Sequence, residues 1–478
     1  MYDVVIIGGG IIGCAVFREL TRYVGNVLLV EGKSDVCEGT SKANSAIIHA
    51  GFDAVPGSQK AYYNQRGSAL YPRLCQELSI PFLNNGSLVV AGEEGAPRLA
   101  ALEKNAQRNR IPGVTILSAA ELYAKEPNLA PWYAYALYAP TGGIICPFEA
   151  TYALYENGLA NGGQVRLGCT ITGIETMDGE GFCLKSTAGE IETKTVVNAA
   201  GLYADRICGM AKGDPFFIIP RRGEYCLLDK SEGDVVTHTI FRLPTHMGKG
   251  VLVTPTVHGN LLAGPTAEDI ADKENLATTR KGMAYVLESA KDILAGGVKE
   301  HKIITSFCGL RAHGIGEDFI VGRDSRVSGL YHAACMESPG LSAAPAVGQS
   351  IAQMVAADLD LAEKKDFMPH RKRQKPFAEM DGAERAAAIE ADGGHARIIC
   401  RCETVTEGEI RNAIGRGART LDGIKRRCRP GMGRCQGGFC TPRILEIMEE
   451  ELGVSSFNVM KKGTDAPLVR YPLKGVPQ

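Results

Sequence analysis

Met1-Tyr2-Asp3-Val4-Val5-Ile6-Ile7-Gly8-Gly9-Gly10-Ile11-Ile12-Gly13-Cys14 opens the chain, and the order of residue types in it sets the fold. An apolar, β-branched run (4–7) reads as a buried strand. Residues 8–13 read as a glycine-rich turn, 14–23 as a helix and 27–31 as a second strand. In Gly8-x-Gly10-x-x-Gly13 the first glycine permits the tight turn, the second lets backbone approach a pyrophosphate, and the third lets helix and strand pack closely. The N–H groups at the helix start, around Ile12, offer donors and a positive dipole end to phosphate. Glu31, followed by Gly32, closes the second strand about twenty residues on, where a carboxylate meets ribose hydroxyls. The unit predicts an α/β, Rossmann-like domain that binds an adenine dinucleotide.

Three further segments bear on which dinucleotide. Gly39-Thr40-Ser41-Lys42-Ala43-Asn44-Ser45 is a small, polar loop, followed by Ala46-Ile47-Ile48-His49-Ala50-Gly51. Thr195-Val196-Val197-Asn198-Ala199-Ala200-Gly201 reads as a buried strand ending in small residues. Tyr331-His332-Ala333-Ala334-Cys335 is another strand, with Ser338-Pro339-Gly340-Leu341-Ser342 leading into a helix. If the dinucleotide is a flavin, a helix beginning near Leu341 can aim backbone N–H groups at the edge where negative charge collects on reduction.

These segments resemble the discontinuous FAD-binding elements of the D-amino-acid-oxidase-like flavoproteins. The resemblance implies non-covalent FAD held by Gly8, Gly10, Ile12, Gly13, Glu31, Gly32, Thr40, Ser41, Asn44, Ser45, Ile47, Ala200, Gly201, Gly340, Leu341 and Ser342. It implies a flavoprotein domain over 1–361, with FAD-binding parts at 1–80, 140–215 and 306–361. The intervening parts, 81–139 and 216–305, are expected to form a mixed β-sheet over the reacting face. Residues 39–51, Pro56-Gly57-Ser58-Gln59-Lys60-Ala61 and Gly309-Leu310-Arg311-Ala312 look like L-2-hydroxyglutarate dehydrogenases and FAD-dependent glycerol-3-phosphate dehydrogenases, the N-terminal half more like the former. The substrate implied is a small anionic alcohol, glycerol 3-phosphate or a 2-hydroxy acid. His49 is then either a catalytic, substrate-contacting imidazole or a flavin-packing one. Arg311 is either the anion-binding fork of the active site or half of a surface salt bridge. Arg222, Tyr225 and Lys249 are further substrate-binding candidates.

The other signal lies at the far end. Cys400-Arg-Cys402 and Cys435-Gln-Gly-Gly-Phe-Cys440 are about thirty residues apart, with an amphipathic helical stretch between them. Four thiolates so spaced can surround an iron–sulfur centre or a structural zinc, or remain uncoordinated. Gly431, Gly433, Gly437 and Gly438 let backbone N–H groups approach sulfur. Residues 399–441 resemble the bacterioferritin-associated-ferredoxin-like [2Fe–2S] domain, particularly the copy fused to anaerobic glycerol-3-phosphate dehydrogenases. The resemblance implies Cys400, Cys402, Cys435 and Cys440 as ligands, with Cys428 as an extra thiol. The domain is expected at 396–455, after a linker at 362–395 and before a tail at 456–478. A flavin beside a [2Fe–2S] cluster implies electrons leaving to a partner protein. The rival of another class is a non-catalytic electron-relay subunit.

Composition narrows the rest. Hydrophobic residues make up 45% and charged residues 22%, and the net charge of −1 gives no global case for nucleic acid or an anionic membrane surface. No apolar run reaches the roughly 18 residues of a spanning helix, so a membrane is expected to be met only through a partner. The absence of a basic leader, with cysteines such as Cys183, Cys226 and Cys308 single in apolar strands, predicts a reduced, cytoplasmic protein. Acid precipitation of the purified protein should release yellow FAD into the supernatant. Colour retained in the pellet, or release of FMN alone, contradicts non-covalent FAD.

Overall fold

The computed structural model describes residues 1–177, 181–243 and 250–470. It forms two compact units: residues 1–31 with 37–371, and residues 32–36 with 372–478. In the first unit the opening strand, Tyr2–Ile7, lies between parallel partners, Gly189–Asn198 on one side and Val27–Val30 on the other. A central parallel strand is covered on both faces, which is why Val4 to Ile7 run apolar without alternation. Leu330–Ala334 pairs parallel with Gly189–Asn198, and Gln164–Arg166 with Val27–Val30. Two antiparallel strands, Ile171–Thr176 and Phe182–Ser186, extend the sheet. Cys183 stands there half-buried, whereas Cys226 and Cys308 are buried as expected.

Helix Ile11–Leu20 packs against Pro147–Ala160 and Gly340–Asp358. The approach is set by missing side chains. A Cβ on Gly13 would lie 1.8 Å from Gly8 O, and one on Gly8, at φ +114°, would lie 2.4 Å from Ala199 O. Long helix Gln59–Leu78 also packs on Gly340–Asp358, where a Cβ on Gly67 would lie 2.1 Å from Ser342 O.

A second, mixed sheet carries the intervening segments. Its order is Glu268–Asp269, Ile218–Leu228, Leu261–Gly264, Leu252–Pro255, Thr239–Arg242, Ser87–Ala91, Tyr135–Ala139, Thr115–Ser118, and Ile303–Gly314 pairs along the length of Ile218–Leu228. All pairings are antiparallel except Thr239–Arg242 with Ser87–Ala91. Strand Ile303–Gly314 runs through Arg311.

The boundaries differ from the expected ones, for local reasons. Residues 363–371 belong to the first unit because buried side chains need their carbonyls. Asn157 and Asn161 donate to Met368 O, both at 3.0 Å, Arg18 donates to Pro369 O, and Arg371 pairs with Glu156 at 2.7 Å. Helix Gly382–Ala391, capped by Asp381 and Glu384, occupies the rest of the expected linker. The expected tail packs as far as Pro467: Val459 joins the core of the second unit, and Met460 bridges to Thr420 and Pro467. Residues 32–36 join the second unit through Asp35, which receives both terminal nitrogens of Arg427 at 2.5 and 2.9 Å, all buried. Among the described residues, no helix is long and apolar enough to cross a membrane.

These contacts separate the glycines by role. Gly13→Ala should lower the stability of the protein by about 2 kcal/mol or more through overpacking. Gly10, whose added Cβ would meet only Ser41 Oγ at 3.2 Å, should tolerate alanine with its fold intact while a bulky residue there loses FAD. Thermal denaturation with FAD quantified alongside checks both outcomes, and equal destabilisation by the two alanines contradicts the assignment.

Candidate functional site

Helix Ile11–Leu20 begins at Gly10, directly beyond the end of the central strand. The loop 39–45 is tied to it, because Ser41 Oγ accepts from Ile11 N at 2.8 Å. Glu31 Oε2 accepts from Gly9 N at 2.7 Å, which aims the carboxylate across the turn. Asn44 braces its own loop, donating to Thr40 O and Ser41 O and accepting from Ala46 N. Ala200 and Gly201 follow Ala199, whose carbonyl, just beyond the strand, blocks a side chain at Gly8. The result is a backbone-lined cradle with a helix N-terminus, a carboxylate at the strand end and a polar loop over it. Those features fit an adenine dinucleotide.

Ile47–Ile48 leads into His49, which is buried and fixed at several atoms. Its N–H donates to Ser342 Oγ at 2.8 Å, and its carbonyl accepts from Asn64 and Ser68. Its Nε2 lies 3.2 Å from Ser338 Oγ, and its ring stands 5.8 Å from that of Phe241. Ser342 sits in the first turn of helix Gly340–Asp358, with Leu341 O held by the Tyr71 hydroxyl. The start of this helix and His49 are therefore one assembly.

Register locates the arginines. Across the Ile218–Leu228 and Ile303–Gly314 pair, Arg221 faces Arg311, Gly223 faces Gly309 and Tyr225 faces Phe307, so these six share one face. That face meets the polar loop: a Cβ on Gly309 would lie 1.9 Å from Ala43 O, and Thr40 Oγ1 donates to Leu310 O at 2.5 Å. The Arg311 guanidinium lies over Gly223, at 2.9 Å from where a Cβ would stand, and donates to Thr266 O at 3.2 Å. Among the described residues it has no carboxylate partner, so the surface-salt-bridge alternative does not describe it. Arg222 faces Leu310 on the opposite side of the sheet, where it is buried against Glu268 at 2.5 Å. Its charge is compensated and it does not join Arg311. Tyr225 stacks on Phe307 at 4.8 Å, in a packing role. Lys249 lies outside the described residues.

Sequence reading missed a corner beside these groups. Glu337, next to Ser338, accepts from Lys60 Nζ at 2.7 Å and faces His313 Nδ1 at 3.0 Å. Burial alone would push Glu337 up, but the Lys60 ammonium and the His313 ring hold it below the ordinary carboxylate range. His313 is two residues beyond Arg311 and so on its face. The Lys60–Glu337–His313 triad thus anchors the loop that presents Ser338 to His49. The period-2 rule applied outward from Arg311 would have flagged His313. The Lys60 contact spans 277 residues and has no local signal.

In the second unit the four cysteines form two pairs. Cys402 Sγ and Cys435 Sγ are 3.6 Å apart, close to the roughly 3.7 Å expected of two sulfurs on one tetrahedral metal with bonds of about 2.3 Å. Cys400 and Cys440 form the other pair. The Cys440 thiol, with the N–H groups of Gly431, Glu403 and Cys402, outweighs burial and holds Cys400 down to about 6, while Cys440 is pushed up. Burial raises Cys435, but the N–H groups of Phe439 and Gly437 and the Cys402 thiol bring it below its usual value. N–H groups directed at sulfur are the second sphere of an iron–sulfur site. Among the described residues, the groups of three metal-binding side chains within 4.8 Å of one another lie elsewhere. Two pairs rather than one tight tetrahedron fit a two-iron cluster better than zinc. Cys428 is turned away, donating to Ile424 O at 3.5 Å, and burial raises it strongly.

The two other groups need no ion to explain them. In Cys208–Asp324–His332, the Asn198 amide donates to His332 Nδ1, so Nε2 carries the proton toward Asp324. In Cys146–Glu149–His258, His258 Nε2 faces Glu149 Oε1 at 3.1 Å.

The FAD dependent oxidoreductase model (DAO) matches residues 3–354, and the BFD-like [2Fe-2S] binding domain model matches 398–450. A glycerol 3-phosphate dehydrogenase of Caloramator mitchellensis is 45% identical over 99% of both chains. A glycerol 3-phosphate oxidase of Mycoplasma pneumoniae is 32% identical over 72% of this chain and 92% of its own. The structure of L-α-glycerophosphate oxidase from the same organism, solved with FAD bound, superposes with a TM-score of 0.75 at 29% identity, covering 78% of this chain and 99% of that one. L-2-hydroxyglutarate dehydrogenases, such as that of Caenorhabditis elegans at 32% over 61% of the chain, are more distant.

Serine at Cys400, Cys402, Cys435 or Cys440 should abolish the roughly two irons and two sulfides per chain of an anaerobic preparation. Serine at Cys428 should not, and FAD should persist in all five variants. Stoichiometric zinc in that preparation contradicts the cluster.

Proposed function

The chain belongs to the FAD-dependent oxidoreductase family, and on that premise we propose that it oxidises sn-glycerol 3-phosphate to dihydroxyacetone phosphate and passes the electrons through a [2Fe–2S] cluster to a protein acceptor. The observation that carries the substrate assignment is Arg311, half-buried and without a carboxylate partner among the described residues, on the sheet face that meets loop 39–45. A charged phosphate calls for a fixed cation, and a guanidinium offers two parallel hydrogen bonds. The relatives named glycerol 3-phosphate dehydrogenase and oxidase point to the same substrate.

When bound, FAD would be held by the 8–13 turn, Glu31, the 39–47 segment, Ala200, Gly201 and residues 340–342, and it supplies a two-electron acceptor for the C2 hydride. The protein's own residues orient and deprotonate. Arg311 fixes the phosphate and so the direction of the C2–H bond, where a displacement of about 1 Å loses roughly a hundredfold in rate. His49, with its backbone clamped by Ser342, Asn64 and Ser68, takes the C2 hydroxyl proton on its imidazole. Ser338 Oγ sets the plane of that ring, and the Lys60–Glu337–His313 triad sets the position of Ser338.

Anaerobic addition of glycerol 3-phosphate should bleach the yellow colour, and L-2-hydroxyglutarate should do so far more slowly. Bleaching by neither, with reduction only by another protein, favours a relay subunit. Arg311→Ala should raise KM by a loss on the order of 2–5 kcal/mol, with Arg311→Lys intermediate and FAD content unchanged in both. Normal kcat/KM in Arg311→Ala moves the anion site elsewhere.

A further inference from the structure

Phe439 lies directly before the cluster-site residue Cys440 and is 87% exposed, more than any other large hydrophobic side chain among the described residues. A phenyl ring so exposed gains nothing for the fold, yet it stands on the segment that carries Cys435 and Cys440. Around it Cys402, Arg401, Arg434, Gln436 and Gly438 are also exposed, so a cysteine of the cluster site itself reaches the surface. Besides cysteine, the ionisable side chains of residues 400–402 and 429–441 are all arginines: Arg401, Arg429 and Arg434. Glu403, the adjacent carboxylate, is buried and paired with Arg429 at 3.1 Å. The chain as a whole carries a net charge of −1, so this positive rim is a local feature.

An exposed aromatic ring with exposed arginines on its own segment and on the cysteine segment paired with it has the composition of a protein-binding surface. Fixed positive charge on it attracts acidic partners and repels basic ones. We propose that this face of the second unit docks an acidic protein carrying a one-electron redox centre, with the Phe439 ring buried at the middle of the contact and Arg401 and Arg434 at its rim. The proposal rests on the cluster being the electron exit. For each alcohol oxidised to a ketone, two electrons and two protons leave; two molecules of the acceptor each take one electron, and the protons go to solvent.

The test uses the full chain loaded with FAD and cluster, prepared without oxygen. The probe is the soluble haem domain of cytochrome b5, an acidic one-electron acceptor, with the basic cytochrome c as its counterpart. Titration calorimetry gives the affinity at low and high salt, and stopped-flow absorbance gives haem reduction after glycerol 3-phosphate is added. Wild type should bind cytochrome b5 at low salt, lose it at high salt and bind cytochrome c more weakly. Phe439→Ser and the Arg401→Glu, Arg434→Glu double variant should each weaken cytochrome b5 binding at least tenfold. Flavin bleaching by substrate should be unchanged in both, and the cluster absorption spectrum unchanged in the arginine double variant. Unaltered affinity in the variants, no binding by wild type at low salt, slower substrate-driven reduction of the cluster, or conversion of a dimer to a monomer would each overturn the proposal, the last two by giving the face to the FAD-binding unit or to a second copy. Failure of substrate to bleach the wild-type flavin defeats the proposed function instead, and leaves the binding result to be read on its own.

Discussion

The missing side chain at Gly13 is the constraint on which the first unit depends. With 1.8 Å between its would-be Cβ and the Gly8 carbonyl, the opening helix can start only if that position is glycine. Because it starts there, its N-terminus stands at the end of the central parallel strand. Ser41 can then reach Ile11 N, and loop 39–45 is pinned over the turn. That loop in turn seats strand Ile303–Gly314 through Thr40 and Ala43, which carries Arg311 to the site. One close backbone contact thus sets the position of a guanidinium some three hundred residues away in sequence.

The second unit uses a different logic. Its core is small, built from residues such as Ile410, Ile414, Ile424, Ile447 and Met448, with Cys400 and Cys440 among them. Thiols that stand in the core explain why backbone N–H groups from both cysteine segments converge on them: an anionic sulfur in an apolar surround needs donors. The Asp35–Arg427 pair adds a buried bidentate ion pair to this unit, built on a segment that follows Glu31 by only a few residues. Truncation after residue 371 would leave Asp35 without that arginine, so the two units do not separate at a single cut in the chain.

What the sequence revealed was whatever is encoded locally. The turn 8–13, Glu31 at the end of its strand and the paired cysteines are short-range patterns, each tied to one backbone geometry. Arg311 was legible as the first candidate and Arg222 as a weaker one, but the physical difference between them was not. The two are distinguished by which face of a paired strand they occupy, and that parity follows from the register between strands about eighty residues apart. Lys60 with Glu337 was invisible for the same reason. The boundaries were misread because composition describes side chains, and residues 363–371 are held by their carbonyls. The polar stretch around Val459 and Met460 likewise looked like a tail because its anchoring is one buried valine and a few backbone bridges.

The central claim is that one chain takes electrons from an alcohol and delivers them to its own iron–sulfur site. Low-temperature electron paramagnetic resonance of the anaerobic protein, recorded before and after glycerol 3-phosphate and with no other reductant, tests it directly. The account predicts that substrate alone generates the spin signal of a reduced [2Fe–2S] cluster, and that the signal is absent from Cys435→Ser although its flavin still bleaches. A flavin that bleaches in the unaltered protein while an intact cluster stays oxidised would contradict it.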